Sequence, residues 1–131
     1  MDCGEVYIKM CEKAEEIQTH KFEYGDWFAF PSNSKFSGCG VVTEQTINVC
    51  NVVWLPRQDQ LQEMICPKQE CLCSLTQDFF RFVYEEDGRL PLGKNNLNAI
   101  EAHYTSMEQL WLVVLMRKKY NKIWDGENWI S

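Results

Sequence analysis

The chain has 131 residues, a formal net charge of −6, and 45% hydrophobic and 24% charged residues. This length suits one domain with its own core, and the composition excludes a disordered chain and a disulfide-dominated miniprotein. The negative charge argues against a nucleic-acid partner held by its phosphate backbone. The longest apolar run, residues 110–116, is far shorter than the roughly 20 residues of a membrane span. We expect a single domain over residues 1–131 that does not cross a membrane.

The start of the chain predicts a cytoplasmic protein. Residues 1–5 lack the basic start and apolar stretch of a signal peptide, and the segment after them is acidic. The seven cysteines are odd in number, so they cannot all pair within the chain. We therefore expect thiols, with Cys11 and Cys50 at apolar-patterned positions that suit burial.

The first half of the chain reads as one helix followed by strands. Apolar residues recur at steps of four and three along residues 5–19, which predicts an amphipathic helix. The aromatic segment 22–30 predicts a strand with a turn or bulge near Gly25 and Asp26. Two β-branched runs, residues 38–43 and 46–55, predict further strands in an antiparallel meander.

Helical patterns dominate the middle of the chain. Residues 57–65 place their apolar side chains on one helical face before Pro67. Residues 74–86 fit both a helix and an alternating strand; the helix is favoured because Ser74 can cap a run of this length. Residues 85–98 combine acidic, glycine, proline and asparagine residues, which predicts a surface loop.

The C-terminal part has the clearest local signals. Ser106 and Gln109 have the spacing of a capping box, and residues 110–116 after them are apolar on nearly every side. Such a helix predicts the centre of the core, packed on the sheet with the first helix beside it. Asp125 and Gly126 predict a tight turn in a hairpin or hook that docks the last tryptophans on the domain. The whole pattern predicts an α+β fold, with a small antiparallel sheet and helices packed mainly on one face.

Three clustered cysteines are the candidate metal ligands. Cys66, Cys71 and Cys73 supply three soft ligands within eight residues. Structural zinc usually takes four ligands in two close pairs, and here the fourth would come from a distant residue: Cys39, Cys50, His20 or His103. We therefore expect no cofactor, and keep a small zinc-binding module as the alternative.

A basic and aromatic group near the C-terminus is the candidate binding patch. Lys118, Lys119 and Lys122 are followed by Trp124 and Trp129, a combination that can pair phosphates and stack bases. Cations at the end of a helix are also favoured by its dipole, and this interpretation is preferred. If Trp27, Trp124 and Trp129 were exposed they would form a surface for a protein partner, but burial in the core is the favoured place for each.

The sequence offers no recognised catalytic motif. It contains no glycine-rich phosphate loop, no G-x-S-x-G, no H-E-x-x-H and no C-x-x-C. A nucleophilic pair of a cysteine with His20 or His103 is easily matched by chance, because there are seven cysteines. We expect a binding or interaction protein with an unknown protein partner, and keep an enzyme of unrecognised class as a further alternative.

Three short motifs follow one another along the chain. They are G-D-W at 25–27, W-L-P-x-x-x-x-L at 54–61 and K-x-W-D-G-x-x-W at 122–129. In this order they resemble small proteins encoded in bacteriophages and prophages of Gram-positive bacteria. The resemblance spans most of the chain and implies a non-enzymatic accessory protein in the bacterial host cell. It supplies no catalytic residues, and the cysteines at 66–73 are not part of its pattern.

Overall fold

A three-stranded antiparallel sheet lies at the centre of the N-terminal half. The computed structural model describes residues 1–46, 48, 50–67, 72–84 and 104–131, with the backbone alone at 83 and 84. The strands are β1 (Trp27–Ala29), β2 (Cys39–Val41) and β3 (Val53–Leu55). The predicted loop at 85–98, together with Cys71 and His103, lies outside the described residues.

The strand order is β2-β1-β3, so the predicted meander is wrong. β1 is central, and its Phe28 pairs with Gly40 on one side and Trp54 on the other. All three residues of β3 are buried, whereas none of β2 is. The order therefore places the apolar strand β3 at the edge that α1 covers and the glycine-containing strand β2 at the opposite edge.

The first predicted helix is divided into two pieces. Helix α1 covers Glu5–Lys13 and a 3-10 turn covers Glu15–Ile17, separated by Ala14 with φ −89° and ψ 69°. α1 packs against β3. The hydroxyl of Tyr7 donates a hydrogen bond of 2.6 Å to the Pro56 carbonyl just after β3, which fixes the helix on the sheet.

Three longer helices follow in chain order. They are α2 (Gln58–Ile65), α3 (Leu72–Tyr84) and α4 (Met107–Tyr120). The helical interpretation of the ambiguous segment 74–86 is confirmed as far as the structure describes it, but the predicted cap is wrong, because the helix begins at Leu72 and Ser74 lies inside it. α4 packs chiefly against α2, with α3 and α1 as further neighbours. The expectation that α4 lies directly on the sheet is wrong, because α1 is the helix that covers the sheet.

α4 is the most buried helix of the described chain, as its apolar run predicts. Its side chains from Trp111 to Met116 are at most 3% exposed. The indole of Trp111 stacks on Phe79 of α3 with 4.2 Å between ring centroids. The Ser106 hydroxyl accepts a hydrogen bond from the Gln109 backbone N–H, as predicted, but Gln109 Oε1 accepts from the Thr105 N–H instead of from Ser106.

The predicted C-terminal hairpin is confirmed. It consists of β4 (Ile123–Trp124) and β5 (Trp129–Ile130), which pair antiparallel. At its turn Gly126 has φ +106°, and one Asp125 carboxylate oxygen accepts hydrogen bonds of 2.7 Å from the N–H groups of Glu127 and Asn128. The Trp129 indole N–H donates to the carbonyl of Met10 at 2.9 Å. The tail thereby closes over α1.

The expectation of thiols is wrong for two cysteines. Cys3 and Cys39 form a disulfide with 6.1 Å between their Cα atoms, because the fold brings the start of the chain beside β2. Cys11 is fully buried, as predicted, whereas Cys50 is exposed. The buried core joins α1, β3, α2, α4 and the hairpin, which confirms the α+β fold class. In the described ranges, helices long and apolar enough to cross a bilayer are absent.

Candidate functional site

A cleft of about 570 Å³ opens between the 3-10 turn, β3, α2 and the end of α4. Its lining combines aromatic, acidic and basic side chains. The polar and aromatic members among them are Glu16, Thr19, His20, Glu23, Trp54, Gln60, Glu63, Lys119 and Tyr120. Four separate segments of the chain contribute these residues, so the cleft exists only in the folded domain.

A buried carboxylate next to the cleft organises this region. Asp26 is 3% exposed and follows Gly25, whose φ of +88° turns the chain into β1. One carboxylate oxygen accepts from the Glu23 backbone N–H at 2.8 Å and lies 2.7 Å from His20 Nε2. The other accepts from Gln60 Nε2 at 2.7 Å. Asp26 therefore ties the cleft wall before β1 to helix α2.

These hydrogen bonds also fix the charge of Asp26. Burial alone would raise the pKa of its carboxyl, but the Glu23 N–H, His20 and Gln60 outweigh burial, and the pKa lies below its ordinary value. Asp26 is thus ionised at neutral pH and acts only as an acceptor. His20 Nε2 must carry the proton of this contact. In the neutral imidazole Nδ1 is then an acceptor, available to a ligand or to a proton.

The His20 ring lies flat on a buried tryptophan. Its centroid is 3.7 Å from that of Trp54, with 13° between the planes. Gln18 fixes the Trp54 backbone, because its side chain accepts from the Trp54 N–H at 2.8 Å and donates to the Trp54 carbonyl at 3.1 Å. The stack is therefore held from two sides, by Gln18 on Trp54 and by Asp26 on His20.

Two buried polar atoms of the cleft residues lack a hydrogen-bond partner among the described residues. They are Trp54 Nε1, a donor, and Glu16 Oε2, an acceptor. The other Glu16 oxygen forms an ion pair with Lys122. Burial acts to raise the pKa of Glu16, but hydrogen bonds to Lys122 and to the backbone, together with the charge of Lys122, outweigh it and the pKa is lowered, so Glu16 is ionised. Buried polar groups are nearly always paired, so these atoms are exceptions, as are Tyr104 Oη and Trp111 Nε1 away from the cleft.

The rim of the cleft carries an excess of negative charge. Glu23 and Glu63 are exposed, and no described cation forms an ion pair with either. Lys119 is the one lysine in the described lining, and its ammonium lies 5.8 Å from the Tyr120 ring centroid. Three carboxylates and one ammonium group line the cleft, a formal balance of −2 with neutral His20.

The structure does not bring the predicted aromatic and basic patch together as one exposed surface. Trp124 and Trp129 are 4% and 8% exposed, which agrees with the favoured core interpretation and removes both from the patch. Trp27 is half-buried. Lys118 pairs with Asp78, Lys122 pairs with Glu16, and Lys119 lines the cleft. The three lysines thus contact different neighbours and do not form one basic patch.

The predicted zinc ligands are only partly described. Cys66 is half-buried at the end of α2, Cys73 is exposed on α3, and Cys71 lies outside the described residues. Among the residues that are described, no group of three or more His, Cys, Asp or Glu side chains is placed to hold a metal ion. The zinc alternative stays a prediction. The described lining of the cleft also contains no cysteine, so a Cys/His pair with His20 is not assembled there.

Sequence reasoning missed the contacts that build this cleft. Asp26 and Trp54 stand out as parts of short motifs, but nothing local shows that Gln60 reaches Asp26 from 34 residues away. His20 was considered only as a metal ligand or a catalytic partner. An aspartate directly after a glycine, with a histidine six residues earlier, is the local signal that could have indicated this pair.

Comparisons with protein-family models, with curated proteins and with solved structures found no match. The resemblance to bacteriophage proteins therefore stays a prediction from the three motifs.

Proposed function

We propose that this chain is a binding protein that acts through the cleft beside His20, without catalysis of its own. The observation that carries the proposal is the open cleft itself, in whose wall His20 is stacked on Trp54 and bonded to Asp26. A ligand that enters the cleft meets aromatic, acidic and basic side chains in one place.

The fixed geometry of the cleft supports the same proposal. Asp26 holds His20, and Gln18 holds the backbone of Trp54, so the wall requires little ordering when a ligand enters. Preorganisation of this kind favours affinity because fewer side chains lose freedom on binding. We propose that the chain acts as an accessory protein of a bacteriophage or prophage in the bacterial cytoplasm, as the three motifs suggest.

Nuclear magnetic resonance of the ¹⁵N-labelled protein tests the proposal. Three capped peptides of equal length, one acidic, one neutral and one basic, are titrated in turn. We expect at least one of them to shift the Trp54 indole N–H and the Gln60 side-chain amide, since both belong to the cleft. Shifts confined to other surfaces, or no shifts with any peptide, would contradict a binding role for the cleft.

A matched pair of variants separates the cleft from the rest of the surface. Thr19→Tyr fills the cleft from its exposed edge, while Thr43→Tyr adds the same ring at an exposed turn elsewhere. We expect the first variant to abolish the peptide-induced shifts and the second to retain them. Equal binding by the two variants would place the interaction outside the cleft.

A further inference from the structure

We propose that residues 1–4 form a redox-sensitive strap, which the Cys3–Cys39 disulfide closes over the start of α4 and which opens when this bond is reduced. The strap lies at the end of α4 opposite the cleft, so the inference goes beyond the proposed function and does not depend on it. It depends on how the strap is attached and on what remains folded without the bond.

The strap is attached to the domain through side chains. Within the described ranges, residues 1–3 belong to no helix or strand and form no hydrogen bond between backbone groups. The Asp2 carboxylate accepts hydrogen bonds from the Ser106 hydroxyl at 2.6 Å and from the Gln109 side-chain amide at 2.7 Å. The covalent attachment is the disulfide to Cys39 on β2. Without it, the strap is held chiefly by the two hydrogen bonds of Asp2.

The disulfide therefore decides whether the strap stays closed. Fixing a flexible chain end costs conformational entropy for each residue, and hydrogen bonds that water can replace recover only part of this cost. The terminal amine adds little, because it lies 3.8 Å from the nearest Glu108 carboxylate oxygen. In the oxidised protein Cys3 is already held at the sheet, so the adjacent Asp2 has a high effective concentration at α4. Reduction removes this advantage and favours the open strap.

The core of the domain does not need the disulfide. Tyr7, Met10 and Cys11 anchor α1 in the core, and all three are fully buried. The Tyr7 hydroxyl also bonds to the Pro56 carbonyl. β2 contributes no buried residue, and its pairing with β1 is antiparallel and made by the backbone. Reduction should therefore release the strap locally and leave the domain folded, although less stable.

The bond is placed where a reductant can reach it. Both Cys3 and Cys39 are half-buried, and Cys39 belongs to an edge strand. A thiolate of a dithiol reductant attacks one sulfur, which breaks the S–S bond and forms a mixed disulfide. The second thiol of the reductant then displaces the protein sulfur. The two cysteines gain two electrons and two protons, and the reductant is converted to its own disulfide.

Opening of the strap changes the start of α4. Gln109 is 2% exposed, and Asp2 accepts one of the hydrogen bonds of its side-chain amide. The Asp2 carboxylate also lies at the helix N-terminus, where negative charge is favourable. The open strap exposes the Gln109 amide to water and removes this charge. Disulfides in reducing surroundings are usually transient or redox-sensing, and this one transmits its state from β2 to α4.

Nuclear magnetic resonance of the full ¹⁵N-labelled chain, before and after addition of dithiothreitol, tests the proposal. We expect reduction to lower the heteronuclear Overhauser effect of the Gly4 amide from the range of a rigid backbone to that of a flexible one. The Gln109 side-chain amide should shift, whereas the Trp54 indole N–H should keep its position. Cys3→Ser should show the reduced pattern without dithiothreitol and should not respond to it.

Matched variants test the link from the strap to α4. Asp2 bonds to α4, whereas Glu5 is exposed nearby and has no described hydrogen bond or ion pair. In oxidised Asp2→Ala the Gln109 amide should already have the position of the reduced protein, and reduction should not move it further. Glu5→Ala should respond like the wild type. Cys50→Ser, which removes an exposed thiol, should also respond like the wild type.

Three results would overturn the proposal. The first is a Gly4 amide and a Gln109 side chain that do not change when the bond is reduced. The second is loss of signal dispersion across the whole spectrum on reduction, because the bond would then hold the fold and not a strap. The third is a bond that dithiothreitol reduces only in urea. Equal responses of Asp2→Ala and the wild type would contradict the link to α4.

Discussion

Asp26 shows how a single buried charge can position several surrounding groups. Its two oxygens take hydrogen bonds from a turn, from His20 and from Gln60 on α2, and Arg57 Nη1 lies 3.9 Å from one of them. A buried carboxylate is tolerated when hydrogen bonds replace its lost hydration. The carboxylate therefore both stabilises the fold and orients the imidazole of the cleft.

Replacing Asp26 with Asn should destabilise the protein in a pH-dependent way. At pH 7 we expect the free energy of unfolding to fall by about 2 kcal/mol, because hydrogen bonds to a charged acceptor are lost. The lowered pKa of Asp26 means that its stabilisation is complete above the ordinary pKa of 3.8 and is lost as the pH falls through the folded-state pKa. The difference between wild type and Asp26→Asn should thus shrink below about pH 4. Urea denaturation from pH 7 to pH 3 measures it.

Asp59→Asn is the matched control for this substitution. Asp59 is exposed, and among the described residues its side chain bonds only to that of Arg57, so its replacement should cost much less at pH 7. A penalty for Asp26→Asn that stays constant down to pH 3 would contradict an ionised Asp26.

At the scale of elements, the C-terminal hairpin has its own local determinants. The Asp125 carboxylate bonds to two backbone N–H groups of the turn, and these bonds lower its pKa. Trp124 and Trp129 pair across the strands with 5.1 Å between centroids. The short ladder is stable because its tryptophans are buried on α1 and α4, since a two-stranded hairpin alone is marginal in water.

Gly126→Ala should weaken this hairpin through backbone strain alone. Gly126 has φ +106°, and apart from its two chain neighbours no described residue has an atom within 4 Å of the position that a Cβ would take. We expect a loss of about 1–2 kcal/mol in the free energy of unfolding, measured by urea denaturation with tryptophan fluorescence. Asn128→Ala is the control, because the hydrogen bonds of Asn128 in the turn come from its backbone. Equal stability of the two variants would show that the turn does not need its glycine.

Local and long-range features of this fold differ in how well they can be predicted. The α4 helix and the hairpin were predicted because capping, periodicity and turn residues lie within a few positions of one another. The strand order was not, because β3 passes β2 to pair with β1. The same applies to the disulfide between Cys3 and Cys39 and to the contact of Gln18 with Trp54, each separated by 36 residues. The cleft depends on such contacts, and no local pattern encodes them.

At the scale of the molecule, the disulfide ties the start of the chain to the edge of the sheet. Directly before Cys3, the Asp2 carboxylate also accepts hydrogen bonds from Ser106 and Gln109 at the beginning of α4, at 2.6 and 2.7 Å. The first residues therefore link β2 to the most buried helix of the described chain. Cross-linking these parts restricts the unfolded chain more than the folded one.

Loss of the disulfide should lower the stability of the whole domain. We expect Cys3→Ser to reduce the free energy of unfolding by about 2–4 kcal/mol. Dithiothreitol should destabilise the wild type by a similar amount and leave Cys3→Ser unchanged in urea denaturation. Cys50→Ser, at an exposed thiol, should behave like the wild type. A wild type that does not respond to the reductant would show that these two cysteines are not bonded in solution.

The hydrogen bond from the Trp129 indole to the Met10 carbonyl has a consequence for protein synthesis. Helix α1 is translated early, but the hydrogen-bond donor of its Met10 carbonyl, the Trp129 indole, lies 119 residues later in the chain. Residue 129 must therefore leave the ribosome before this hydrogen bond can form. The core around α1 is incomplete during most of the elongation of the domain.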